Sequence, residues 1–213
     1  MRDVMVTFAP SKLLQVLLRK VRQRAQHRLP WTERRYLAVD IETNGLNPRE
    51  DALLAIGWVP VEPPRILIDQ ACYRVIQTDA TENSVVLGQS AVVHQLSQQQ
   101  LRQGEPLEEV LTEFTEAARG ATLIAHHAPF DRAGLETACR QHGLLTPGID
   151  WLDTLAIEKR LLSRSGRPSE QGALTLDSCR LRYGLPKYSA HHALNDAIAC
   201  AELFLAQQYR LRR

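Results

Sequence analysis

Residues 36–46 read YLAVDIETNGL, a run of strand-forming side chains that ends in two carboxylates, Asp40 and Glu42. Alternate residues of a strand point to the same face. The two acids therefore share a face and repel each other unless a positive charge comes between them. A buried strand that ends this way must place its tip at an edge where something cationic can bind.

The rest of the chain supplies partners for that strand. ALLAIGWVPV (52–61) and RILIDQACYRVI (65–76) read as two more strands separated by a turn at Pro63 and Pro64. Strands joined by such short links predict an antiparallel meander. PLEEVLTEFTEAARG (106–120) and PFDRAGLETACRQHG (129–143) each open on Pro and close on Gly, the asymmetry of a helix. Between them ATLIAHH reads as a short strand. WLDTLAIEKRLL, LTLDSCRLRYGL and ALNDAIACAELFLAQQYRL then make the second half helix-rich. A meander followed by strand–helix units predicts an α/β protein with a mixed sheet flanked by helices.

Charge is unevenly spread. Ser11 to Arg35 contains eight Lys or Arg and one acid, Glu33, whereas from Tyr36 onward acids outnumber Lys and Arg by 22 to 17. SKLLQVLLRKVRQRAQ (11–26) sets Leu13, Leu14, Leu17, Leu18 and Val21 at helical spacing among basic residues. Residues 1–33 thus read as a basic amphipathic extension and 34–213 as one domain. The leucine stripe predicts a helix docked on the domain. A nucleic-acid-binding arm, a partner-binding surface and a membrane-surface helix are the alternatives. Cys72, Cys139, Cys179 and Cys200 form no CxxC pair, which argues for buried thiols in a reducing, cytoplasmic setting. No apolar run approaches the length of a membrane span, and the N-terminus lacks the apolar core of a signal peptide.

Three more acids stand beside unusual neighbours: Asp131 in AHHAPFD, Asp153 in WLDT and Asp196 in HHALNDA. Strand ends and helix starts are where an α/β fold builds its site. One Asp at a helix start is ordinarily a cap or a dipole partner. Carboxylates gathered from several elements instead suit hard cations such as Mg²⁺ or Mn²⁺. Two such ions about 4 Å apart can stabilise the attacking and leaving oxygens of a phosphoryl transfer. His191 precedes Asp196 by five residues, about 140° of rotation on a continuous helix. It is therefore expected in the turn before the helix, where an imidazole can take a proton from water. Adjacent His126–His127 and His191–His192 pairs argue against a zinc site, because neighbouring side chains diverge and no Cys lies near.

DIET, HHAPFD and HHALNDA, in this order, resemble the three exonuclease motifs of the DEDDh family of 3′–5′ exonucleases, nearest in type to the proofreading epsilon subunit of bacterial DNA polymerase III. The resemblance runs from about Tyr36 to about Tyr209 and takes in AIGWV, VVHQLS, WLDTL and LDSCRLRYGL. It implies an RNase H-like fold with a mixed five-stranded sheet, flanking helices and a helical N-terminal extension. It further implies metal ligands at Asp40, Glu42, Asp131 and Asp196, and His191 as the general base. Thr43, Leu46, His127 and Phe130 would meet substrate, and Asp153 with Thr154 would support the site from behind. Where the family has HNxxFD this chain has His127, so the local substrate contact is expected to differ.

The implied activity is hydrolysis of phosphodiester bonds from the 3′ end of single-stranded nucleic acid, DNA before RNA, with two divalent ions and release of nucleoside 5′-monophosphates. Proofreading with a polymerase partner, through the N-terminal helix, and independent repair both fit. An RNA-trimming enzyme resembling RNase T or oligoribonuclease shares the same motifs. A non-catalytic nucleic-acid-binding module is opposed by the intact acids and His191.

Overall fold

The computed structural model describes residues 28–78, 96–146, 150–164 and 172–212, together with Leu17, Val21 and Ala25. The acid-tipped strand is β1 (Tyr36–Thr43), and β2 (Leu53–Glu62) runs antiparallel beside it. The expected third strand is broken in two. A 3₁₀ turn at Ile68–Gln70 separates β3 (Arg65–Ile66) from β4 (Cys72–Val75), and both pair with β2, at its end and its middle respectively. This split corrects the five-stranded expectation to a six-stranded sheet of order β3-β2-β1-β5-β6, with β4 also on β2. The remaining strands are β5 (Thr122–Ala125) and β6 (Trp151–Asp153), both parallel to the β1 direction. WLD is therefore a strand, not the start of the helix that the sequence pattern suggested.

Helices cover both faces. They are α1 (Gln98–Arg102), α2 (Leu107–Ala117), α3 (Ala128–Gln141), α4 (Thr154–Arg164), α5 (Leu176–Leu181) and α6 (Ala193–Arg210). The period of two in β1 decides which face each helix takes. Leu37, Val39 and Ile41 join Val110, Leu111 and Phe114 of α2 and Leu135, Ala138 and Cys139 of α3 in one core. Tyr36 and Ala38 turn the other way, onto Cys200, Ala201 and Phe204 of α6. Asp40 and Glu42 continue this second face, so β1 aims both acids at the layer that α6 occupies.

Of the N-terminal stripe, Leu17 and Val21 are helical and 51% and 63% exposed. The other members of the stripe expected to dock on the domain, Leu13, Leu14 and Leu18, lie outside the described residues. Trp31, by contrast, is buried edge-on against Phe204 and Tyr209, and its carbonyl accepts the Tyr36 hydroxyl. Cys72 is half-buried, while Cys139, Cys179 and Cys200 are buried; all four are free thiols. Among the described residues no helix is long and apolar enough to cross a membrane.

Candidate active site

Gly57 is what lets α6 reach the acids. It stands opposite Asp40 in the β1–β2 register. A Cβ at Gly57 would lie 2.2 Å from the backbone nitrogen of Leu194, so the first turn of α6 rests directly on the strand. From there Asp196 meets Asp40 and Glu42: one carboxylate oxygen from each lies within 4.8 Å of the other two. On the opposite layer Gly134 gives α3 a similarly close seat, where a Cβ would lie 2.8 Å from Ile41 Cδ1. Asp131, in the first turn of α3, is only 3% exposed and accepts the Ile41 N–H at 3.3 Å. Three acids thus form one tight group, and Asp131 adjoins it from the other layer.

The electrostatics are those of negative charge under strain. Protein atoms surround Asp40 densely, although part of its surface still opens to the cleft; burial first, then Asp131, Asp196 and Glu42, push its carboxyl well above the usual carboxylate range. Burial likewise pushes Asp131 well up, against the backbone N–H groups that stabilise its anion, with Asp153 and Glu42 adding to the rise. Asp196 is raised by burial and by Glu42, while the nearby Tyr188 hydroxyl and His191 oppose the shift. Its Oδ1 is buried and, among the described residues, takes no hydrogen bond. Hard oxygen donors, mutual repulsion and an unused buried lone pair fit a divalent cation.

His191 lies where the spacing argument expected it, exposed in the turn before α6. Its φ is 64°, the left-handed region, and its N–H donates to Asp196 Oδ2 at 3.0 Å. One hydrogen bond therefore ties the proposed base to a proposed ligand. Its neighbour His192 faces elsewhere: the ring stacks on Tyr73 of β4, with centroids 4.1 Å apart.

The other expected positions divide by environment. Thr43 is buried and donates to the Gly45 carbonyl at 2.7 Å, while Leu46 in the same loop is 94% exposed. His127 has φ 85° and stacks parallel to Phe130 at 6.4 Å. Its N–H donates to Asp153 Oδ1, which also accepts the Leu155 N–H, both at 3.0 Å. Asp153 thus ties the residue before α3 to the start of α4. Thr154 is fully buried and bonds the ring of His126, whose other nitrogen bonds the Leu174 carbonyl. Burial lowers the pKa of His126.

Two further residues stand beside this group: Tyr188, outside every quoted motif, and Arg180, inside LDSCRLRYGL but given no role by it. Tyr188 lies beside Asp196; burial and that carboxylate push its phenol far up. Arg180, 1% exposed, stacks over the Tyr188 ring at 4.9 Å and donates to the Pro186 and Ala199 carbonyls.

The RNase T exonuclease family model matches residues 37–204, which include all four acids and His191. The chain belongs to this exonuclease family. The matched exonuclease domain has a mixed α/β, RNase H-like fold. The PolC-type DNA polymerase III of Thermotoga petrophila is 30% identical over 174 residues, 80% of this chain but 12% of that protein. The DNA polymerase III epsilon subunit of Treponema pallidum is 26% identical over 176 residues, covering 79% of this chain and 74% of that one. The chain thus spans only about an eighth of its PolC-type relatives. Among solved structures, E. coli exonuclease I in complex with a 5cy-dT13 oligonucleotide superposes with a TM-score of 0.72 at 12% identity, over 85% of this chain and 42% of that one. The cell-death related nuclease CRN-4 gives 0.69 at 14% identity, over 84% and 65%.

Proposed function

We propose that the chain removes nucleotides one at a time from the 3′ end of single-stranded DNA and releases nucleoside 5′-monophosphates. The observation that carries this reading is the convergence of Asp40, Glu42 and Asp196 from a strand and a helix, with His191 bonded to the last of them. The named relatives, both DNA polymerase III chains, and the oligonucleotide-bound exonuclease I structure support DNA as the substrate.

Asp40, Glu42, Asp131 and Asp196 would hold two divalent ions, Mg²⁺ or Mn²⁺. Bound there, such ions neutralise the scissile phosphate and acidify water, and a pair can stabilise both attacking and leaving oxygens. His191 accepts the proton of the attacking water from its exposed turn. A new P–O bond forms from that water, and the bond from phosphorus to the 3′ oxygen breaks. The remaining strand keeps a 3′ hydroxyl and the freed nucleotide keeps its 5′ phosphate. Leu46 and Thr43 contact the terminal nucleotide, with His127 and Phe130 beside it; the exposure of Leu46 and the parallel rings support this. The exposed Leu17 and Val21 support the N-terminal helix as a surface for a protein partner such as a polymerase.

Matched 3′-labelled DNA and RNA strands, incubated with Mg²⁺ or with EDTA, test the proposal. Stepwise loss of the DNA label as 5′-monophosphate, abolished by EDTA, is the expected result. Faster trimming of RNA would move the substrate to the RNA class. No turnover of any strand with Mn²⁺ would overturn the catalytic reading.

A further inference from the structure

The row of residues across the sheet at Asp40 has a third member. Gly57 pairs with Asp40 on one side and with Tyr73 on the other. Residues directly opposite in antiparallel strands project to the same face. Asp40, Gly57 and Tyr73 therefore line up beneath the start of α6. Gly57 leaves room for the helix backbone at Leu194, and Tyr73 rises beside that gap. Its ring stacks on His192, the residue immediately before α6, at 4.1 Å and an interplanar angle of 28°.

The His192 carbonyl accepts the Asp196 N–H at 3.0 Å, and among the described residues its side chain has few attachments besides that stack. Its Nδ1 is buried and, among the described residues, makes no hydrogen bond. The stack on Tyr73 is thus the main contact seen to orient its ring. The residue before it, His191, carries the left-handed φ of 64°, which costs a side-chain-bearing residue energy and persists only where the surroundings impose it. Two restraints are available. On one side the His191 N–H is held by Asp196 Oδ2, and on the other His192 is held by Tyr73.

We propose that Tyr73 and His192 act as a positioning clamp that holds His191 in its left-handed turn over the carboxylate cluster. The proposal rests on the reading of His191 as the base. Tyr73 is a positioning residue: it comes from β4, outside the three motifs, and works through the turn rather than on the nucleic acid. The device predicts a particular kinetic pattern. Loosening the stack lets the turn relax toward an ordinary φ and carries the imidazole away from the water. The carboxylates and the substrate contacts stay in place.

The test uses single-turnover hydrolysis of a short 3′-labelled DNA strand, with Mn²⁺ affinity measured calorimetrically on the same proteins. Tyr73→Ala is expected to lower kcat by about 10–100-fold, the range for a misplaced catalytic group. KM and the Mn²⁺ dissociation constant should stay within about twofold of the unaltered protein, since the four carboxylates are retained; the Tyr73 phenol is near enough to feel the charge of Glu42, and Tyr73→Phe measures what that hydroxyl adds. Tyr73→Phe keeps the ring and should restore kcat. His192→Phe should likewise retain more activity than His192→Ala. In a His191→Ala background Tyr73→Ala should have no further effect, because the group it positions is gone. Should Tyr73→Ala prove unstable, Tyr73→Leu fills the same space without an aromatic face and takes its place. A kcat within twofold of the unaltered protein for Tyr73→Ala or Tyr73→Leu would overturn the clamp. So would a full Tyr73 effect in the His191→Ala background, which would leave His191 as the base and the clamp refuted. A His191→Ala protein that retains most of its activity would refute the base itself.

Discussion

A Cβ on Gly57 would come within 2.2 Å of the Leu194 backbone nitrogen, so the distance between α6 and β2 is set by the absence of a side chain. That distance also sets where Asp196 stands relative to Asp40, the residue paired with Gly57. Gly57→Ala must push back the first turn of a helix that cannot deform locally. It should cost about 1–3 kcal/mol, the range for overpacking. Activity should fall further than stability, by more than about tenfold, since misplacing a proposed ligand by a fraction of an ångström would lose metal contact. Thermal melts and turnover at saturating Mn²⁺ measure the two effects. Unchanged turnover would mean that the helix start does not fix the site.

The crowded acids make stability depend on pH in an unusual direction. Asp40, Asp131 and Asp196 all have pKa values raised by burial. A raised carboxyl binds its proton more tightly folded than unfolded. Its contribution to stability is therefore present below the ordinary carboxylate pKa, about 4, and is lost as pH rises through the folded value. In EDTA the protein should lose stability as pH increases over that window. Asp40→Asn or Asp131→Asn should melt above the unaltered protein at pH 8 in EDTA, by a few degrees at about 2–4 °C per kcal/mol. Mn²⁺ should raise the melting temperature of the unaltered protein and do much less for either variant. Equal melting temperatures with and without the acids would remove the evidence for electrostatic strain.

His127 stands at φ 85°, where Asn is tolerated better than most residues with a side chain. The Asn that the resembling family carries at this position has a conformational reason. His127→Asn should be neutral or stabilise by up to about 1 kcal/mol. The backbone bond to Asp153 needs no side chain at 127 and should survive. What is lost is the ring parallel to Phe130, so KM for single-stranded DNA should rise while kcat stays within about twofold. A large fall in kcat would instead give the imidazole a part in the chemistry.

The N-terminal boundary is equally open to test. Trp31 is packed between Phe204, Tyr209 and the Arg212 guanidinium, so it belongs to the α6 core. Removing residues 1–28 should leave turnover of short strands intact. Removing 1–33 takes Trp31 as well and should cost about 3 kcal/mol or more, as for truncating any buried Trp. Denaturant melts of the two truncations separate these outcomes, and equal stabilities would show that Trp31 contributes little.

The motifs were readable because each acid sits in a short local context that fixes its element: a strand tip for Asp40 and Glu42, a helix start for Asp131 and Asp196. The face they share followed from the period of two in β1. β6 was not readable, because Trp151–Asp153 is three residues long and runs straight into α4 without a turn residue between them. The break in the third strand was hidden for a related reason. Apolar residues run on either side of Asp69 as in a strand, and no Gly or Pro marks the 3₁₀ turn at Ile68–Gln70 that Leu67, with ψ 79°, leads into. Tyr73, Tyr188 and Arg180 were missed because their importance lies in register and packing. Nothing near Tyr73 in the chain says that it stands two strands from Asp40, in the same row.

His191 and His192 are chemically identical, and geometry separates them. His191 is exposed in the turn, with its N–H on Asp196 and its imidazole close enough to lower that carboxyl. His192 is half-buried on Tyr73. His191→Ala removes the proposed proton acceptor and should reduce kcat by about 10²–10⁴-fold, the usual range for a general base. The carboxylates remain, so Mn²⁺ binding should survive it. His192→Ala loosens the turn but leaves the acceptor present, and its cost should be smaller, nearer tenfold. Asp196→Ala differs from both: it removes a proposed ligand oxygen and the anchor of the His191 N–H together, so metal affinity and kcat should fall in step. Single-turnover rates with Mn²⁺ titrated for each variant distinguish the three. If His192→Ala proves the more damaging of the two histidine changes while Mn²⁺ binding is unaltered, the proton acceptor is His192, and the ring stacked on Tyr73 must leave that stack to reach the water.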